Sequence, residues 1–223
     1  LILKSFSKYS IDKSIEYFEK ALRIRLETDD SLNLPLSFHN LGWVYFVKAI
    51  SFTNKEYSKN YMFLTVLDTT KFNDSTLKYL DLSLNHLKTS AELHKVLNNK
   101  VDYEGVMITI ALIQYCLNNI TESIRLLENA KEVLQTNQRF DDASRTYINL
   151  GFIYSKQKNY SKAVDNLLTG LKITEVTKNI SHSIIAYTEL VNIYKNMGNF
   201  EKALFYSEKL TNAKDSLYTA ENI

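Results

Sequence analysis

Ser123-Ile124-Arg125-Leu126-Leu127 returns 40 residues later as Ala163-Val164-Asp165-Asn166-Leu167, and after a further 40 as Ala203-Leu204-Phe205-Tyr206-Ser207. A second phrase keeps the same period: Ala111 through Tyr115, then Gly151-Phe152-Ile153-Tyr154, then Val191-Asn192-Ile193-Tyr194. A fixed period of this size marks a solenoid, in which each unit buries its apolar face only against its neighbours. That points to a binding scaffold rather than a catalytic pocket.

Composition agrees with rows of helices. Hydrophobic residues make up 45% of the 223, enough for a continuous core, and 5 Gly with 1 Pro leave too few breakers for an all-β fold. A formal net charge of +2 offers no general attraction to nucleic acid or anionic lipid, and no basic stripe is evident. The single Cys116 cannot form an internal disulfide; within the apolar run Ile108–Leu117 it reads as a buried structural thiol. The apolar stretches are interrupted well before the ~18–20 residues that a membrane span requires. The chain opens at Leu1 in what reads as half a repeat and ends at Ile223 without a stop signal, so a fragment of a longer protein is expected.

Each period reads as two helices. Asp142 or its neighbour is placed to cap one running to about Gln157, and Asn159 opens the next, with Tyr160, Ala163, Leu167 and Gly170 on one face. Ser181 starts the following pair, whose turn is Met197-Gly198-Asn199. Asn119 with Glu122 three residues on has the form of a capping box with Asn in the Ser/Thr position. Ala130, Gly170 and Ser90 share a register that lets neighbouring helices approach closely.

Leu150-Gly151 with Tyr154, followed by Tyr160 and Ala163, resembles the tetratricopeptide repeat. Tyr9 through Leu22 resembles the second helix of such a repeat, and Leu41-Gly42-Trp43-Val44-Tyr45 the first helix of the next. The resemblance implies an all-α, right-handed superhelix of about four and a half units in a single solenoid domain. The units run approximately 1–33, 34–101, 102–140, 141–180 and 181–223. They are longer than is usual for the family, which implies longer helices. Ser14 and Ser83 are equivalent yet 69 apart, one period plus 29 residues. The surplus falls at about 50–73, where Tyr57, Tyr61, Met62, Phe63, Leu64, Val66 and Leu67 suit an inserted helix. It either fills the stack as a degenerate repeat or packs over one end of the groove. Beyond it, Ser75 to about Leu97 reads as one long helix.

Enzyme constellations are missing: there is no phosphate-cradling Gly-rich loop and no His-Glu-x-x-His pair. His39, His86, His94 and His182 are scattered and read as surface or hydrogen-bonded side chains. Neither catalytic residues, a metal nor a cofactor is expected. In the family the first helix of each unit lines the concave groove. Carried onto this chain, that register assigns His39, Trp43 and Phe46, then Tyr115, then Arg145, Asn149, Phe152 and Lys156, then Glu189, Asn192 and Asn196 to a peptide- or protein-binding groove. Aromatic anchors beside Arg and Asn suit an extended peptide, since amides can pair with its backbone. Trp43, Phe46 and Phe152 have an alternative reading as plain packing residues.

Lys214-Asp215-Ser216-Leu217 resembles the phrase closing the repeat regions of Bacteroidetes signalling proteins, in which a histidine kinase or helix-turn-helix regulator follows. That implies a sensory or docking module of a two-component or related signal-transduction protein, in the bacterial cytoplasm or periplasm. Its partner would be a protein or peptide in the groove, with no nucleic acid bound by this region and no membrane span within it. The alternatives are a stand-alone adaptor, or a pheromone-binding regulator resembling the Rap-type proteins. Exposed aromatics also allow a homodimer.

Overall fold

The computed structural model describes residues 8–52, 64 and 69–221. Among these the regular structure is helical, with no strand: α1 (Lys8–Glu27), α2 (Leu34–Ser51), α3 (Asp74–Val96), α4 (Lys100–Cys116), α5 (Ile120–Thr136), α6 (Phe140–Lys156), α7 (Tyr160–Thr177), α8 (Ile180–Asn196) and α9 (Phe200–Glu221). A short 3-10 turn, Thr69–Lys71, precedes α3. The inserted helix expected at about 50–73 falls largely outside the described residues.

The period of 40 has a local cause. From α3 onward each turn places a residue with positive φ at a spacing of 20: Asn98, Asn118, Gln138, Lys158, Lys178 and Gly198. In five of the six, two N–H groups close the preceding helix in a Schellman arrangement. At the first, Asn98 N donates to Lys95 O and Asn99 N to His94 O; at the last, Gly198 N donates to Lys195 O and Asn199 N to Tyr194 O. The turn after α7 keeps the longer of the two bonds, from Asn179 N to Thr174 O. The next residue is already the N-cap of the following helix. Asn99, Asn159, Asn179 and Asn199 each accept a hydrogen bond from the N–H three residues on. One residue thus ends one helix and starts another, so helices of about 17 residues recur every 20.

Three expected helix starts shift. Asp142 does not cap α6, which begins at Phe140 behind Arg139; Asp141 and Asp142 lie in its first turn, where the helix dipole favours carboxylates. The fifth unit begins at Ile180, capped by Asn179, rather than at Ser181. Glu122 turns to Arg125, which donates to both its carboxylate oxygens, and the Asn119 amide donates to Gln114 Oε1. Asn73 caps α3 through Thr76 N, so the helix begins at Asp74, one residue ahead of the expected start.

The chain forms two compact units, one of Leu1–Met62 with Val66–Leu126, the other of Phe63–Thr65 with Leu127–Ile223. In the first, α2 packs against α1, α3 and α4. A Cβ at Gly42 would stand 2.5 Å from Leu87 Cγ, so only glycine permits the α2–α3 approach. Ser83 Oγ donates to Gly42 O and Ser90 Oγ to Pro35 O, which ties the same two helices by polar contacts. Lys48 is buried, its ammonium 2.5 Å from the Asp12 carboxylate and above the rings of Phe52 and Tyr79. In the second unit α6 packs on α7, α7 on α8, α8 on α9, and α6 also touches α8. Gly151 repeats the role of Gly42: its Cβ would lie 2.6 Å from Leu167 Cγ. Gly170 and the fully buried Ala130 occupy the small-residue register as expected.

Candidate functional site

α7 lies on the face of α6 that carries Ser144, Tyr147, Ile148 and Gly151, as the close approaches of Leu167 and Gly170 show. Arg145, Asn149, Phe152 and Lys156 follow at i, i+4, i+7 and i+11. They form a separate stripe about one residue's rotation, roughly 100°, around the helix. The structure thus brings four of the expected site residues onto one line.

Each has a defined environment. Arg145 is largely buried; its guanidinium donates to Asp142 Oδ1 at 2.6 Å, while its Nε has no hydrogen-bond partner. Asn149 has no exposed surface, and its Oδ1 accepts the main-chain N–H of Leu64 at 2.9 Å. Phe152 is buried, and the exposed Lys156 holds its ammonium 5.0 Å from that ring. The stripe runs from a buried cation, through an amide reading a main chain, to an aromatic ring beneath a second cation.

α8, which also touches α6, carries the remaining expected residues of this unit. Glu189 is buried; burial pushes its carboxyl up, and the charge of Lys156 opposes that rise. Asn192 and Asn196 lie exposed on the same helix. At the other end Ser144 Oγ is 2.7 Å from His182 Nδ1, and the Asn179 amide donates to Asp141 Oδ1. Burial, and then the charge of Arg145, lower the His182 imidazole from its usual 6.5 to about 4, so the ring is neutral at neutral pH.

The other expected residues belong to the first unit. Trp43 and Phe46 are in ring contact with centroids 5.6 Å apart; Phe46 is fully buried and Trp43 half-buried. His39 and Tyr115 are half-buried on α2 and α4. A surface ligand therefore meets Trp43 and not Phe46.

Several features escaped the sequence. One is the reach of Leu64 to Asn149. Another is a register: Thr109, Asn149 and Glu189 stand 40 apart, and all three are buried polar side chains on first helices. The signal was present two residues before the Ala111, Gly151 and Val191 column. Thr109 Oγ1 has no hydrogen-bond partner. His94 corrects the expectation for histidines, being buried with Nδ1 unpartnered; His86 instead stacks on Tyr45. Cys116 is buried as expected, its thiol pushed up to about 12 by burial, which leaves it protonated and unreactive. Among the described residues no group of His, Cys, Asp and Glu could hold a metal ion, and no helix is long and apolar enough to cross a membrane.

Residues 144–176 and 184–216 match the family model of the tetratricopeptide repeat. No curated protein sequence matches the chain. Among solved structures, aspartyl phosphate phosphatase F from Bacillus subtilis is similar with a TM-score of 0.72 at 15% identity, over 94% of this chain and 49% of that one. BtubC (BKLC) from P. vanneervenii is similar at 0.61 and 15% identity, over 93% of this chain and 92% of its own. A signal transduction ATPase with numerous domains, bearing a tetratricopeptide repeat sensor, from Pyrococcus horikoshii gives 0.59 at 16% identity, over 96% and 31%. The chain therefore spans about half of the first relative's length and about a third of the third's. At these identities the likeness is one of fold. Two matched repeats, an all-helical fold and helix pairs every 40 residues make this an α-helical repeat protein carrying tetratricopeptide repeats.

Proposed function

We propose that the α6–α8 face of this repeat module binds an extended peptide or a peptide-like segment of a partner protein. The observation that carries the reading is Asn149. A buried amide on a first helix accepts a main-chain N–H from a segment 85 residues away in sequence. Such an acceptor recognises backbone without regard to side chain, and Phe152 and the Lys156 ammonium beside it offer side-chain and carboxylate contacts. Buried Glu189 and Arg145 add selectivity, because a ligand group that fails to match them leaves a charge desolvated.

The docking step belongs to a signal-transduction protein in this reading, with peptide binding passed through the repeats to an output module elsewhere. The repeat sensor of the Pyrococcus horikoshii protein supports that role only at the level of fold. The stand-alone adaptor needs the same binding face but no output.

The test is a fluorescence anisotropy titration with a peptide selected from a displayed random nine-residue library. Phe152→Ala and Lys156→Glu are expected to weaken binding at least ~10-fold with the thermal transition still cooperative. Arg145→Ala is expected to weaken it as well. Unchanged affinity in Phe152→Ala and Lys156→Glu would show that the peptide does not bind on the α6–α8 face.

A further inference from the structure

The α2–α3 hairpin closes without the surplus residues. Ser83 Oγ donates to Gly42 O across 41 residues, and Ser123 Oγ makes the equivalent bond to Ala111 O across 12. The 29 additional residues are therefore not needed to seat one helix on the other. Leu64, within them, is a large aliphatic side chain with no exposed surface. Its N–H is satisfied by Asn149 of α6, at 2.9 Å. Leu64 thus makes the contacts expected of one residue of a bound peptide: a main-chain donor to a buried amide, and an apolar side chain removed from water.

We infer that Leu64 is an occupant carried by the chain itself, seated at a subsite that takes a leucine-like residue of a peptide, so that an external peptide binds there only by displacing it. This rests on the peptide-binding reading of the α6–α8 face. A tethered occupant acts at an effective concentration of millimolar order, so a weak internal ligand suffices to keep out an untethered one. Only a ligand that also engages Phe152, Lys156 or Glu189 gains enough to replace it. The device raises specificity without any new surface.

Two measurements on the intact chain separate this inference from the reading beneath it. The first follows the Leu64 amide by hydrogen exchange and needs no ligand. Slow exchange is expected in the wild type, and exchange at least ~10-fold faster in Asn149→Leu, with amides of α7 and α9 unaffected. An amide exchanging at the free-chain rate in the wild type overturns the inference. The second titrates a labelled synthetic peptide of residues 58–68 into the wild type and into Leu64→Asp, with Leu64→Ala as the milder variant and circular dichroism as the check on folding. Binding at least ~10-fold tighter in the Leu64 variants is the expected result. Equal, measurable affinity for wild type and variants ends the self-occupancy while leaving peptide binding intact. A protected Leu64 amide with no peptide bound to any form ends the peptide-binding reading, and displacement with it.

Discussion

His182 shows how a single residue couples the face to solution conditions. Its imidazole lies against Ser144, near Arg145, Asp141 and Asp142, and titrates near 4 rather than 6.5. Between those values the unfolded chain binds a proton that the native state refuses, so stability falls as pH drops through 6.5 towards 4. The contribution at stake is roughly 3 kcal/mol at 1.36 kcal/mol per pKa unit. Glu189 works in the opposite sense: burial raises its carboxyl, so the native state holds a proton more readily and gains stability as pH falls. Urea unfolding of His182→Gln from pH 7 to pH 4 is expected to show a shallower loss than wild type. An identical slope contradicts the neutral, buried imidazole. Cys116 gives a second residue-scale expectation: no reaction with a thiol reagent in the folded protein and full reaction in denaturant, read by absorbance. Rapid labelling of the native state contradicts its burial.

At the scale of the element, the helices are set by their turns and by a few close approaches. Adding a methyl at Gly151 drives it into Leu167 Cγ at 2.6 Å and towards the Ala163 carbonyl at 3.1 Å. Gly151→Ala is expected to cost about 1–3 kcal/mol, because the backbone of α7 has to retreat. Gly105, inside α4, has nothing within 4 Å of the same position. Gly105→Ala is therefore expected to stabilise, by up to ~1 kcal/mol from helix propensity alone. Denaturant midpoints for the pair check this, and equal effects of one sign contradict the packing assigned to Gly151. The positive-φ turns make a related case. Lys158 holds φ at 59°, where glycine avoids the Cβ penalty, so Lys158→Gly is expected to raise stability by up to ~1 kcal/mol. A loss measured by thermal unfolding contradicts the turn geometry.

Across the whole molecule, the period of 40 was legible because helix pairs recur and bury the same columns. Leu150-Gly151 and Ala163 announce the close pair α6–α7 by residue size alone, and the 69-residue spacing of Ser83 from Ser14 located the surplus segment. Its finer division into turns of 20 was harder to see, because the positive-φ place is filled by Asn, Gln, Lys and Gly in turn. A carboxylate in the first turn, such as Asp142 of α6, has the same sequence signature as a cap and hides the true helix start. The candidate site was half legible. Register alone puts Arg145, Asn149, Phe152 and Lys156 on one stripe, since periodicity fixes which residues share a helix face. It cannot show that Phe46 is wholly covered, that His182 meets Ser144, or that Leu64 reaches Asn149. Those are contacts between residues distant in sequence, and no local pattern encodes them.

Peptide recognition by this protein stands or falls with the α6–α8 face. The most direct measurement is the chemical-shift map of isotopically labelled protein titrated with a library-selected peptide. The largest changes are predicted at the Asn149 side-chain amide and at the backbone amides of Phe152, Lys156, His182 and Glu189. Changes confined to α7 and α9, with Asn149 undisturbed, would contradict it.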